Sequence, residues 1–98
     1  MARKVSYKIN NAAKNIGVQL QSWRKLSNLT AQQVADKAGI SRTTLQKIEH
    51  GDPSVSFLAI LSTARVLGVL DKLIEATDPY KTPLGIAKSE LLLKKRIR

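Results

Sequence analysis

Within residues 30–51, TAQQVADKAGISRTTLQKIEHG, the side chains with most hydrogen-bonding capacity recur at helical spacing. At about 100° per residue, with Arg42 set to 0°, Arg42, Gln46, His50, Thr43 and Lys47 fall at roughly 0, 40, 80, 100 and 140°. Leu45 and Ile48 fall at roughly 300 and 240° on the same wheel. Arg and Lys donate to guanine O6 and N7, Gln pairs with adenine, and a Thr methyl touches thymine. A short helix with one apolar edge and one such face is what a DNA major groove admits. The chemistry implied is recognition of base edges, and the implied partner is double-stranded DNA.

The flanking residues read as the frame for that helix. Thr30 and Gln33 form a T-x-x-Q capping box, and Val34, Ala35 and Ala38 are expected to face inward. Gly39 suits the left-handed position past a helix end. Ile40 is apolar, and Ser41 caps the next helix. The order cap, helix, Gly, apolar residue, cap, helix is a helix-turn-helix layout. An earlier helix is predicted over residues 15–26, with Ile16, Leu20 and Trp23 as its core stripe. Gly51-Asp52-Pro53-Ser54 reads as a turn. Ser54 or Ser56 then caps a fourth helix reaching residue 67, with Val55, Leu58, Leu61, Ala64 and Leu67 inward. Gly68 stops it, and a fifth helix is predicted over residues 70–76. Residues 1–14 read as a basic arm or edge strand through the alternation Val5, Tyr7, Ile9. Residues 79–98 read as a basic tail: an extended linker around Thr82-Pro83 and Gly85, then one or two helical turns within 86–93. The expected division is thus 1–14, 15–78 and 79–98.

The bulk composition narrows the function classes. The chain has 98 residues, 43% hydrophobic, with only four aromatic residues, so its core must come from Leu, Ile, Val and Ala. That suits one small all-α domain. It has no Cys and one His, which argues against disulfides and metal sites. No run approaches the ~20 apolar residues of a membrane span, and the N-terminus lacks a signal peptide's apolar region. A cytoplasmic protein, associated with the nucleoid and not with membranes, is expected. The formal charge is +10, concentrated at the ends. Residues 1–14 carry four basic residues and no acid, 81–98 carry six against Glu90, and 15–80 carry seven against six. Such ends suit a polyanion. Nothing resembles an acid–base pair, a nucleophile or a phosphate loop, so neither an enzyme nor a cofactor is expected.

Residues 16–69 resemble the lambda-repressor/Cro-type (XRE) helix-turn-helix family. The resemblance is carried by Ile16-Gly17, Leu20, Trp23-Arg24, Leu29-Thr30, Val34-Ala35, Gly39-Ile40-Ser41, Leu45, Ile48-Glu49, Gly51, Pro53-Ser54 and Leu67-Gly68-Val69. It implies a five-helix all-α bundle, here with basic extensions at both ends, that binds a palindromic operator as a homodimer and represses transcription. Arg42, Thr43 and Lys47 match the base-reading positions, with Thr44 and Gln46 beside them. His50 matches a phosphate contact, and Arg24 and Glu49 match a structural salt bridge. Many relatives carry Gln directly after the capping residue, where Ala31 stands here; Gln32 is the expected substitute. Thr30, Ser41 and the tail's Lys94, Lys95 and Arg96 complete the expected phosphate contacts. Leu70, Leu73 and Ile74 are expected at the dimer interface, because operator binding by this class uses half-sites ~34 Å apart. Size, the basic tail and Leu91-Leu92-Leu93 also resemble antitoxins paired with HipA-like kinase toxins, which implies an alternative protein partner.

Overall fold

The structure, a computed structural model, describes residues 4–89 and residue 91. Lys94, Lys95 and Arg96, with Leu92 and Leu93, lie outside the described residues. Among those described there are six α-helices and no strand: α1 (Tyr7–Leu26), α2 (Ala31–Ala38), α3 (Arg42–Glu49), α4 (Phe57–Val66), α5 (Leu70–Ala76) and α6 (Pro83–Ala87). A 3-10 turn, Pro79–Lys81, precedes α6.

The first helix starts two turns earlier than the sequence predicts, so the edge-strand reading of Val5, Tyr7 and Ile9 is corrected. The Ser6 side chain accepts from the Ile9 N–H at 3.3 Å and caps the helix. Ile9, Ala13, Ile16 and Leu20 then follow the helical period, and this longer pattern outweighs three alternating residues. The tail is corrected in the same way: helical turns at Pro79–Lys81 and Pro83–Ala87 replace the extended linker. Thr82 Oγ1 donates to the Pro79 carbonyl at 2.6 Å and accepts from the Gly85 N–H at 3.0 Å, closing the two turns on each other.

The core gathers Leu20, Val34, Ala35, Leu45, Ile48, Ala59 and Leu67, with Leu29, Ile40, Val55, Ile60 and Val69 packed around it. Helix α2 packs on α3 and α4, and α1 packs on α3. Ser56, not Ser54, caps α4 by accepting from the Ala59 N–H at 3.0 Å. The inward edge of α4 is therefore Ala59, Ile60, Thr63, Ala64 and Leu67. Leu58, expected inside, falls on the opposite side and is 73% exposed. Small residues on α4 let α2 approach closely; Ala35 and Val34 have no exposed surface.

The apolar stripe of α1 is also only partly a core stripe. Leu20 is buried, but Ile16 is 49% and Trp23 39% exposed. These two flank an open apolar cleft of about 390 Å³ between α1, α4 and α5, which Phe57, Ile60 and Leu73 also line. The Lys72 ammonium lies 5.0 Å from the centre of the Trp23 ring, within cation–π range.

Helix α1 meets α3 backbone to backbone at Gly17. A Cβ there would collide with the Ile48 carbonyl oxygen and lie 2.9 Å from that of Glu49. Backbone atoms cannot swing aside as a side-chain tip can, so any larger residue forces the helices apart. Gly17→Ala is expected to cost about 1–3 kcal/mol, read as a lowered thermal midpoint; an unchanged midpoint would contradict this contact.

Candidate nucleic-acid interface

The α2–turn–α3 unit is fixed at each end by its own side chains. Thr30 Oγ1 accepts from the Gln33 N–H at 3.1 Å, and Gln33 Oε1 accepts from the Thr30 N–H at 2.8 Å. Gly39 takes the left-handed conformation (φ 70°), and the Ile40 N–H returns to the Ala35 carbonyl at 3.0 Å. Ser41 Oγ accepts from the Thr44 N–H at 3.0 Å and starts α3. Each device satisfies helix-end groups that would otherwise need water.

Leu45 and Ile48 are buried under α3, and Arg42, Thr43, Gln46, Lys47 and His50 are exposed. Those five form one continuous outward face. Thr44 does not join them. It is half-buried, and its hydroxyl accepts from Ser41 Oγ at 2.9 Å, so it belongs to the cap. The same bond engages the Ser41 proton that a phosphate contact would use. On α2, Gln32 is exposed and donates to Asp36 Oδ1 at 2.9 Å. Thr30 is exposed at the helix start, with its hydroxyl accepting inside the capping box. On α5, Leu73 is 39% and Ile74 59% exposed, whereas Leu70 is half-buried.

Arg24 and Glu49 join α1 to the end of α3. Arg24 Nε lies 2.7 Å from Glu49 Oε2, and its terminal nitrogen Nη2 donates to Oε1 at 3.1 Å. The remaining nitrogen, Nη1, donates to the Leu29 carbonyl at 3.1 Å, reaching the segment before α2. The side chains are 13% and 7% exposed. The hydrogen bonds to Glu49 raise the Arg24 pKa above its usual value against the opposing effect of burial, and the Glu49 charge adds to the rise. Gln21 also donates to Glu49 Oε1, at 3.3 Å. The sequence reading missed Gln21, although it stands three residues before Arg24 on the same face.

After α3, the Asp52 carboxylate accepts from both the N–H and the hydroxyl of Ser54, at 2.8 and 2.6 Å. These bonds hold its pKa below the usual carboxylate value, with a smaller push from Lys47. This contribution to the turn is present above the ordinary carboxylate pKa and is lost as pH falls through the lowered one.

Two helices joined by a glycine turn, the second presenting a polar outward face, define a helix-turn-helix module. The family model described as a helix-turn-helix domain matches residues 15–76, well over half the chain. The protein belongs to that family, which includes XRE-like domains. No curated protein and no solved structure matches the chain. The domain is a DNA-binding one. Among the described residues, no helix is long and apolar enough to cross a membrane.

Removing one partner of the buried Arg24–Glu49 pair leaves the other charge desolvated. Arg24→Ala is expected to cost about 3–5 kcal/mol, measured as a shift of the urea unfolding midpoint. A shift no larger than that of an exposed-lysine variant would contradict the burial of the pair.

Proposed function

We propose that this protein is a sequence-specific transcriptional repressor that binds a palindromic operator as a homodimer, including an operator upstream of its own gene. The observation that carries the reading is the outward face of α3. Five side chains able to address base edges or phosphates share one arc, while Leu45 and Ile48, at 1% and 2% exposed, anchor the helix from behind. Arg42, Thr43, Gln46 and Lys47 read base edges. His50, Thr30 and Gln32 contact phosphates, as do the tail's Lys94, Lys95 and Arg96. Thr44 and Ser41 support the helix start.

Leu73 and Ile74 on α5, with Leu70 partly beneath them, form the dimer contact; the apolar cleft beside α5 supports it. A second reading, an antitoxin that also holds a HipA-like kinase, is favoured by one observation. Apolar lining continues past α5 along α1 as far as Ile9.

Arg42→Ala or Lys47→Ala is expected to cost about 1–3 kcal/mol on the preferred site and to relax its sequence preference. Titration of the upstream duplex against random duplex checks this. Equal loss on both would contradict base reading. Leu73→Asp is expected to convert the dimer to monomer in sedimentation, with folding intact. A monomeric unaltered chain would refute the dimer.

A further inference from the structure

Four residues on one edge of α1 follow helical spacing: Asn10, Lys14, Gly17 and Gln21. That edge is turned to α3. Gln21 bonds Glu49, and Gly17 lies against the carbonyls of Ile48 and Glu49. One turn earlier, Lys14 meets Gly51, the residue directly after His50. A Cβ on Gly51 would fall 2.5 Å from Lys14 Cα and 2.8 Å from its backbone nitrogen. The two segments thus run against each other in opposite senses, and α1 emerges past the end of α3 at Lys14.

Beyond Gly51 the α1 edge has no α3 above it. Lys14 is exposed there, and Asn10 is half-exposed one turn further on. Lys47 and His50 stand exposed at the same end of α3. Asp52, next to Gly51, turns its carboxylate to Ser54; it is along α1 that the charge is one-sided. No acidic residue precedes Asp36 in the chain, whereas Arg3, Lys4, Lys8, Lys14, Arg24 and Lys25 do. Arg24 is neutralised by Glu49; Lys14 stands in an acid-free helix.

From this geometry we infer that Lys14, with Asn10 beside it, is a DNA-phosphate clamp at the end of the recognition helix. Its ligand is the phosphodiester backbone bordering the groove that α3 enters. It carries no base information; it fixes how far α3 sits along the groove, because its backbone is braced on Gly51. The inference rests on the DNA-binding reading above and adds a contact from residues that precede the matched domain.

The test is fluorescence anisotropy of the full chain on the upstream duplex and on a random-sequence duplex, at several salt concentrations. Lys14→Ala is expected to weaken both by the same factor, leave the preference between them unchanged, and flatten the log–log salt slope by about 0.9. Lys14→Arg is expected to restore the slope. Lys37→Ala, on the last turn of α2, controls for net charge and is expected to leave the slope intact. An unchanged slope in Lys14→Ala, or an equal change in Lys37→Ala, overturns the clamp while leaving the repressor reading standing. Failure of the unaltered chain to bind either duplex overturns both.

Discussion

At Gly17 helices α1 and α3 touch backbone to backbone, and the placement of the outward face of α3 follows from that contact. Gly17 lets the Ile48 and Glu49 carbonyls approach the α1 backbone, and Arg24 closes the crossing by gripping Glu49. Because Arg24 also reaches the Leu29 carbonyl, one guanidinium fixes the end of α3 and the approach to α2 together. The pair is costly to desolvate, and its value lies in geometry: a planar fork matched to a carboxylate permits few alternative angles. A mobile helix would lose binding energy to ordering; α3 is held by its own fold.

The remaining polar side chains divide between support and availability. Gln33, Ser41 and Thr44 spend their hydrogen bonds on helix ends, and the Thr30 hydroxyl accepts one there. Arg42, Thr43, Gln46 and Lys47 project from the outer face. Thr43 and Thr44 are the same residue type in adjacent positions, yet 100° of helical rotation separates outer face from cap.

How much of this was legible in the sequence depended on the kind of signal. Caps, the glycine turn and the five-helix frame were readable, because Thr30, Gly39, Ser41 and Gly68 act locally. The α5 boundaries, residues 70–76, were read as they stand. Pairings between distant segments were not derivable from spacing: Arg24 with Glu49 came only through family resemblance, and Gln21 was missed. The start of α1 was misjudged because three alternating residues were weighed above a longer helical period that begins at Ser6. Leu58 is expected inward from the three-residue series Val55, Leu58, Leu61, Ala64 and Leu67, whereas α4 buries Ala59, Thr63 and Ala64. Ile16 and Trp23 show a further limit: periodicity marks an apolar flank but does not say whether the fold has enough neighbours to cover it.

Trp23 has one more consequence. It is the chain's single tryptophan, and it lines the cleft between α1, α4 and α5 together with Leu73. Indole emission shifts with the polarity around the ring, and the nearby Lys72 ammonium makes that setting sensitive to rearrangement. The protein therefore contains an intrinsic optical reporter for that cleft, carried on α1 and not on its outward polar helix. Events at the two surfaces can be told apart in a cuvette without attaching a dye.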